Sequence, residues 1–178
     1  MPASYKKILS VSLFAFLNLC VLNAQTRSIG TAYSYNGVGI LYELEKDDEC
    51  FMEIKLQAEL GEVLMDRTDI PGISASFTRN YILRTWKSDE GNNIRLYAGI
   101  GAIAGYANDF KRKAGPFFGI KGKAGIDCHF PRRVRISLAL SPIIGCHLTY
   151  GTKYQKMEYY RNGLLNSFMP EIGICYMF

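Results

Sequence analysis

Hydrophobic and polar residues alternate along most of this chain, in runs separated by short polar or glycine-containing segments. Residues 51–60, for example, are FMEIKLQAEL, with aliphatic side chains at the even positions and Glu, Lys or Gln at most of the odd ones. Successive side chains of a β-strand point to opposite faces, so this pattern predicts a strand with one apolar face. Eight runs of this kind predict eight strands, at about 28–35, 38–44, 51–60, 73–86, 94–106, 118–130, 134–150 and 167–178.

The first two runs are separated only by Asn36-Gly37, a strong signal for a two-residue hairpin turn. Such a turn pairs Tyr35 with Val38 and Tyr33 with Ile40, and all of these residues lie on the apolar face. In the seventh run, Pro142 lacks an N–H for the ladder, and this predicts a bulge or a bend there.

The fourth run has an irregular pattern, because its apolar positions include Arg79. An arginine on a lipid-facing surface would cost roughly 2–4 kcal/mol at the bilayer midplane. Either a bulge shifts the alternation near Arg79, or this part of the strand lies beyond the bilayer.

The connections between the runs are of two kinds. Short polar links at 45–49, 87–93 and 131–133 alternate with longer connections at 61–71, 108–115 and 151–163, to which the Asn36-Gly37 turn is a short exception. This alternation is typical of an up-and-down barrel with its long loops at one end. The sequence therefore predicts an all-β protein: an eight-stranded antiparallel transmembrane β-barrel.

The apolar face is expected to point outward. Glycines lie almost entirely on the polar face, as the crowded interior of a small barrel requires, and aromatic residues of the apolar face cluster at the strand ends. Two aromatic girdles around an aliphatic band are typical of a barrel in a bilayer. The alternative is a soluble lipocalin-like barrel, which has an apolar interior.

The first 24 residues are expected to be a cleavable signal peptide. Lys6 and Lys7 precede the apolar run 8–22, and Ala24 is a small residue at the expected cleavage site. A membrane-spanning helix and a lipoprotein signal at Cys20 are the alternatives. Cleavage leaves one barrel domain at 25–178, which we expect in the outer membrane.

Composition argues against several classes of function. Without the signal peptide, 19 basic and 16 acidic residues remain, a net charge of +3 that is too small and too scattered to indicate a nucleic-acid partner. The remaining cysteines stand alone in strand-like runs. We therefore predict neither a metal site nor another cofactor.

The last run ends in IGICYMF at 172–178, with apolar residues at Ile172, Ile174, Tyr176 and Phe178. Together with the signal peptide and the eight amphipathic runs, it resembles the small eight-stranded outer-membrane β-barrels of Gram-negative bacteria, the class of OmpX and the OmpA membrane domain. The resemblance covers the whole mature chain. It implies that these four residues form a signal for the barrel-assembly machinery, and that periplasmic chaperones, outer-membrane lipids and lipopolysaccharide are partners of a monomeric barrel.

The polar face carries the charged residues that are expected inside the barrel. Buried charges need partners, so we expect a structural network of ion pairs rather than a reaction centre. The tight turn at 131–133 predicts that His129 pairs with Arg135, with Asp127 diagonal to Arg135. The expected network comprises Glu53, Lys55, Glu59, Arg95, Lys121, Lys123, Asp127, His129, Arg135 and Glu171.

Enzymatic activity is not expected. His147 and Thr149 are weak candidates for a hydrolase site like that of lipid A deacylases, but Thr stands in place of Ser and no nearby residue in the sequence orients the histidine. A lipid A-modifying enzyme and a narrow channel are the alternatives to a structural, adhesive or surface-interaction role. That role would lie in the long loops. The candidate loop contacts are Lys111, Arg112, Lys113, Tyr154, Tyr159, Tyr160 and Arg161.

Overall fold

The computed structural model describes residues 26–47, 49–64, 66, 71–88, 91–109, 113–150, 155–165 and 169–178. The proposed signal peptide and its cleavage site lie outside these residues. The described residues include two short helices, α1 (Gly61–Leu64) and α2 (Arg161–Leu165). The strands are β1 (Thr26–Ser34), β2 (Gly37–Asp47), β3 (Cys50–Glu59), β4 (Gly72–Lys87), β5 (Asn93–Asp109), β6 (Lys113–Phe130), β7 (Val134–Leu140), β8 (Ile143–Tyr150), β9 (Gln155–Tyr159) and β10 (Glu171–Met177).

The strands form a closed antiparallel barrel with eight positions around its wall. Strands β1 to β6 pair in sequence order, β6 pairs with β7, β7 with β10, and β10 with β1. We call the end with the turn at 131–133 the short-turn end, and the end with α1 and α2 the long-loop end. The eight-stranded antiparallel all-β prediction is confirmed.

Ten strands occupy eight positions around the wall, because each of the last two positions holds two strands. Strands β7 and β8 both pair with β6, and β10 and β9 pair with β7 and β8 in turn. Pro142 separates β7 from β8, and its carbonyl oxygen accepts a hydrogen bond from Gly122 N at 2.8 Å. The ladder is interrupted at Pro142 as predicted, but the pairs Ala124–Leu140 and Lys121–Ile143 keep one register, so the interruption is not a bulge. The connection predicted at 151–163 is wrong in part, because β9 within it pairs with β8, and α2 then leads toward β10.

The first hairpin forms in a register different from the predicted one. Tyr33 pairs with Val38 rather than with Ile40, and the turn residues are Tyr35 and Asn36. The Asn36 carbonyl oxygen accepts hydrogen bonds from Leu60 N (2.6 Å) and Gly61 N (3.1 Å), which holds Asn36 in the turn. The shift moves each partner by two residues, so the outward face predicted for the hairpin is unchanged.

Strand β4 contains a register shift between Ile82 and Arg84. It lies beyond Arg79, which remains on the outer face opposite Ile100, so a bulge does not turn Arg79 inward. The same shift places Arg84 outside, opposite Leu96, although simple alternation predicts it inside. One extra residue reverses the facing of every residue that follows it.

The exterior of the barrel is apolar. Thirty large hydrophobic side chains of the described residues are exposed, from 37% at Phe130 to 65% at Ile73. Between them, a shallow depression of about 940 Å³ on the outer face of β4, β5, β6 and β8 is lined by small and apolar residues that include Ala102, Phe118 and Ile144. The polarity is thus the reverse of a water-soluble protein, in which large apolar patches are rarely exposed.

Candidate functional site

A group of charged residues converges in the barrel interior. The buried charged residues are Glu43, Glu53, Lys55, Arg95, Lys121, Lys123, Asp127, Arg135 and Glu171. They project inward from β2, β3, β5, β6, β7 and β10, where side chains of opposite charge come together. The interior is therefore a candidate functional site, and it divides into three levels.

The level nearest the short-turn end is centred on Asp127. Its carboxylate accepts two hydrogen bonds from Arg95, at 3.0 and 3.1 Å, and lies 3.2 Å from His129 Nε2 and 4.0 Å from an Arg135 nitrogen. His129 pairs with Arg135 across the turn at 131–133, so the predicted register is confirmed there. A carboxylate in contact with two arginines and a histidine holds the ends of β5, β6 and β7 together.

An aromatic ring lies beside both arginines of this level. The guanidinium groups of Arg95 and Arg135 lie 5.6 and 5.2 Å from the centroid of Phe51, which contacts Tyr97 edge-to-face at 5.1 Å. Arg95 also bonds to Glu45, and Arg135 to Glu43. Alternation predicts that Phe51 and Tyr97 face inward, but the contact of Phe51 with both arginines depends on strand stagger that the sequence does not encode locally.

The middle level is a chain of lysines and glutamates. Lys123 bonds to Glu53 and lies 3.1 Å from Glu171, which also bonds to Lys55. All four are less than 5% exposed. The chain links β3, β6 and β10 across the barrel, and buried pairs of this kind are stable only when each charge has a partner.

Lys121 and Glu59 were predicted in the same network but are bonded differently. Lys121, 1% exposed, donates a hydrogen bond to Ser76 Oγ at 3.3 Å and has no carboxylate within 4.0 Å among the described residues. Glu59 accepts hydrogen bonds from Ser74 and Gln57. Both line a chamber of about 20 Å³, enough for about one water molecule.

The level nearest the long-loop end is closed by residues from the segment after β9. Tyr160 is 5% exposed and stacks on Phe117 with a centroid distance of 4.5 Å. Asn162 of α2 donates hydrogen bonds to Glu62 of α1 (3.1 Å) and to the Asn108 carbonyl oxygen (3.2 Å). The prediction of Tyr160 as a loop contact is wrong, because its ring fills the mouth of the barrel.

The other predicted loop contacts lie partly within the described residues. Tyr159 is 44% exposed in β9, and Arg161 is exposed at the start of α2. Lys113 is the first residue of β6, where the structure describes its backbone. Lys111, Arg112 and Tyr154 lie outside the described residues.

His147 and Thr149 lie together inside the barrel. Thr149 Oγ1 is 3.3 Å from His147 Nδ1, and the Ala107 carbonyl oxygen is 3.2 Å from Nε2. If Nε2 carries the proton and donates it in a hydrogen bond to the Ala107 carbonyl oxygen, then Nδ1 accepts a hydrogen bond from the threonine hydroxyl. The β8–β9 ladder places Glu158 opposite His147, a carboxylate position that sequence reasoning missed because β9 was taken for a loop. His147 is 1% and Thr149 5% exposed, so the pair is enclosed.

The last strand lies between β1 and β7 and turns its apolar residues outward. Its outward residues are Ile172, Ile174, Tyr176 and Phe178, and each is about half exposed. Inward, Cys175 contacts Ala32 and Leu41 in a small apolar cluster. The alternation predicted for this segment is confirmed.

Among the described residues, no group of three or more His, Cys, Asp or Glu side chains is arranged to hold a metal ion. In the same part of the chain, none of the helices has the length and apolar character needed to cross a membrane. A comparison with protein-family models, curated proteins and solved structures finds no match for this chain.

Proposed function

We propose that this protein is an integral outer-membrane β-barrel with a structural, adhesive or surface-interaction role. The observation that carries the proposal is the reversed polarity of the barrel, with half-exposed Ile, Leu, Tyr and Phe outside and paired charges inside. A closed barrel satisfies all backbone hydrogen bonds within the sheet, which a membrane-spanning structure requires.

The filled interior favours this role over that of a channel. Phe51 and Tyr97 span the short-turn side, the Lys–Glu chain fills the middle, and Tyr160 and Phe117 close the mouth. An eight-stranded barrel is just wide enough for side chains to fill it. The burial of His147 and Thr149 likewise favours a non-enzymatic role, since a substrate would have to displace Tyr160 to reach them.

We further propose the biogenesis that this location requires. Residues 1–24 direct export, periplasmic chaperones hold the unfolded chain, and the outward residues of β10 contact the barrel-assembly machinery. The support is the half-exposed row at Ile172, Ile174, Tyr176 and Phe178, which resembles the assembly signal of small outer-membrane barrels.

We place the interaction surface at the long-loop end. Tyr159 and Met157 on β9 are 44% and 60% exposed, and Leu64 of α1 is 60% exposed. Exposed aromatic and methionine side chains are common in protein contacts. Lipopolysaccharide phosphates are the proposed partner of the basic segment Lys111-Arg112-Lys113.

Epitope insertion tests whether the long-loop end faces the outside of the cell. An epitope placed after Leu64 is expected to bind antibody on intact cells, because α1 belongs to the long-loop end. The same epitope placed in the turn at 131–133 is expected to bind only after the outer membrane is permeabilised. Labelling of the turn, and not of α1, on intact cells would show that the barrel is inserted the other way round.

A further inference from the structure

Two arginines lie on the otherwise apolar outer face of β4. Arg79 is opposite Ile100 of β5 and Met52 of β3, and Arg84, after the register shift, is opposite Leu96. Both side chains are exposed. Ionisable residues at membrane depth are rare and are functional in most cases.

Both guanidinium groups are displaced toward the short-turn end. Arg79 lies 5.2 Å from the ring centroid of Tyr81 and 4.0 Å from Cys50 Sγ. Arg84 lies 5.2 Å from the ring centroid of Trp86. Each ring is two residues further along β4, so each arginine extends its charge away from the middle of the barrel, as snorkelling side chains do at a membrane interface.

Neither arginine forms an ion pair with a carboxylate of the described residues, although a guanidinium has five N–H donors. An aromatic ring on one face of the guanidinium plane leaves the N–H edge available, except for the Arg79 nitrogen that lies 4.0 Å from Cys50 Sγ. That edge matches the oxygen pairs of phosphate, which arginine binds in a bidentate manner.

The surroundings leave space for a lipid beside the arginines. Tyr81 is opposite Ala98, which is in turn opposite Ala124, so small side chains lie next to the ring on the outer face. Exposed cations at the same end of the barrel are Lys87, Arg132 and Arg133, whereas Glu49 is an exposed carboxylate in the neighbouring turn.

We propose that Arg79 and Arg84, each stacked on its aromatic neighbour, bind the phosphate group of an anionic phospholipid in the leaflet at the short-turn end. The inference rests on the proposed membrane location. It assigns a role to Arg79, whose outward position is otherwise unfavourable in an apolar surface. The partner is identified by its chemistry: a phosphodiester headgroup with acyl chains that pack on the apolar wall.

The single tryptophan of the chain, Trp86, reports directly on this site. The mature protein is reconstituted into vesicles of phosphatidylcholine and phosphatidylglycerol in equal amounts, with bromine on the acyl chains of one lipid at a time. Bromine quenches tryptophan fluorescence at short range. Brominated phosphatidylglycerol is expected to quench Trp86 more strongly than brominated phosphatidylcholine.

Three variants distinguish a specific lipid-binding site from the general electrostatic attraction of anionic lipid. Arg79→Gln leaves the Arg84–Trp86 stack intact and is expected to lower the preference for phosphatidylglycerol roughly fivefold, the contribution of one arginine at a membrane surface. Arg132→Gln, at the same end in the turn at 131–133, is expected to leave the preference unchanged. Arg79→Lys should retain only part of it, because an ammonium cannot bind phosphate in a bidentate manner.

Equal quenching by the two brominated lipids in the unmodified protein would overturn the inference, as would an equal loss of preference in Arg79→Gln and Arg132→Gln. Loss of the preference on addition of inorganic phosphate would show a free phosphate site and overturn the assignment to a lipid. If neither brominated lipid quenches Trp86, the proposed membrane location fails as well, so the two failures are distinguishable.

Discussion

Replacing Lys123 with methionine is expected to destabilise the barrel by about 3–5 kcal/mol, the cost of removing one partner from a buried ion pair. Lys123 is 4% exposed and bonds to both Glu53 and Glu171. Glu171 retains Lys55, but Glu53, 1% exposed, loses the one ion pair that the described residues provide for it. The measurement is the free energy of unfolding in urea for the protein reconstituted in vesicles.

Two further variants test whether the unpaired Glu53 carboxylate causes the destabilisation. Lys123→Met combined with Glu53→Gln removes the lone carboxylate and is expected to recover a large part of the loss. Lys87→Met replaces an exposed lysine on β4 and is expected to change stability by less than about 0.5 kcal/mol. If Lys123→Met behaves like Lys87→Met, the interior is not the paired network described above.

Replacing Ile120 with lysine is expected to destabilise the reconstituted barrel by about 2–4 kcal/mol, as for a charge on the lipid face at the midplane of the bilayer. Ile120 lies near the middle of β6, points outward and is 59% exposed. The unfolding free energy in vesicles measures the effect. Around a barrel in water, the same exposed position would tolerate lysine within about 0.5 kcal/mol.

Met157→Lys is the matched control for the depth of the substituted residue in the membrane. Met157 is 60% exposed on β9, where it pairs with Leu148 near the long-loop end of β8. Near or beyond the interface, the expected loss is about 0–1 kcal/mol. Equal and small losses at Ile120 and Met157 would contradict a lipid-facing exterior.

Alternation predicted most of the wall, because a strand has a side-chain period of two and the apolar face is nearly unbroken. The predictions of register and of side-chain facing were wrong where the position of a turn or one extra residue in a strand decides them. The first hairpin turns at Tyr35-Asn36 because Asn36 also bonds to the start of α1, a contact distant in sequence from the turn. Arg84 faces outward because of a bulge between Ile82 and Arg84 that has no glycine to mark it.

The candidate site could be predicted in part. The facing of Asp127, His129 and Arg135 follows from alternation and from a short turn, and their pairing was correct. The partners of Lys123 come from strands far apart in the sequence, and the barrel stagger decides which inward residues meet. The burial of Tyr160 could not be predicted either, since it depends on the path of α2 back into the mouth of the barrel.

The central claim is that the barrel spans the outer membrane, and cell fractionation tests it most directly. The protein, expressed with its own first 24 residues in a Gram-negative host, is separated on a density gradient and the membrane fraction is washed with alkaline carbonate. We expect the protein in the outer-membrane fraction after the wash, because the half-exposed apolar exterior is covered by lipid. Recovery in the soluble periplasmic fraction would contradict the account.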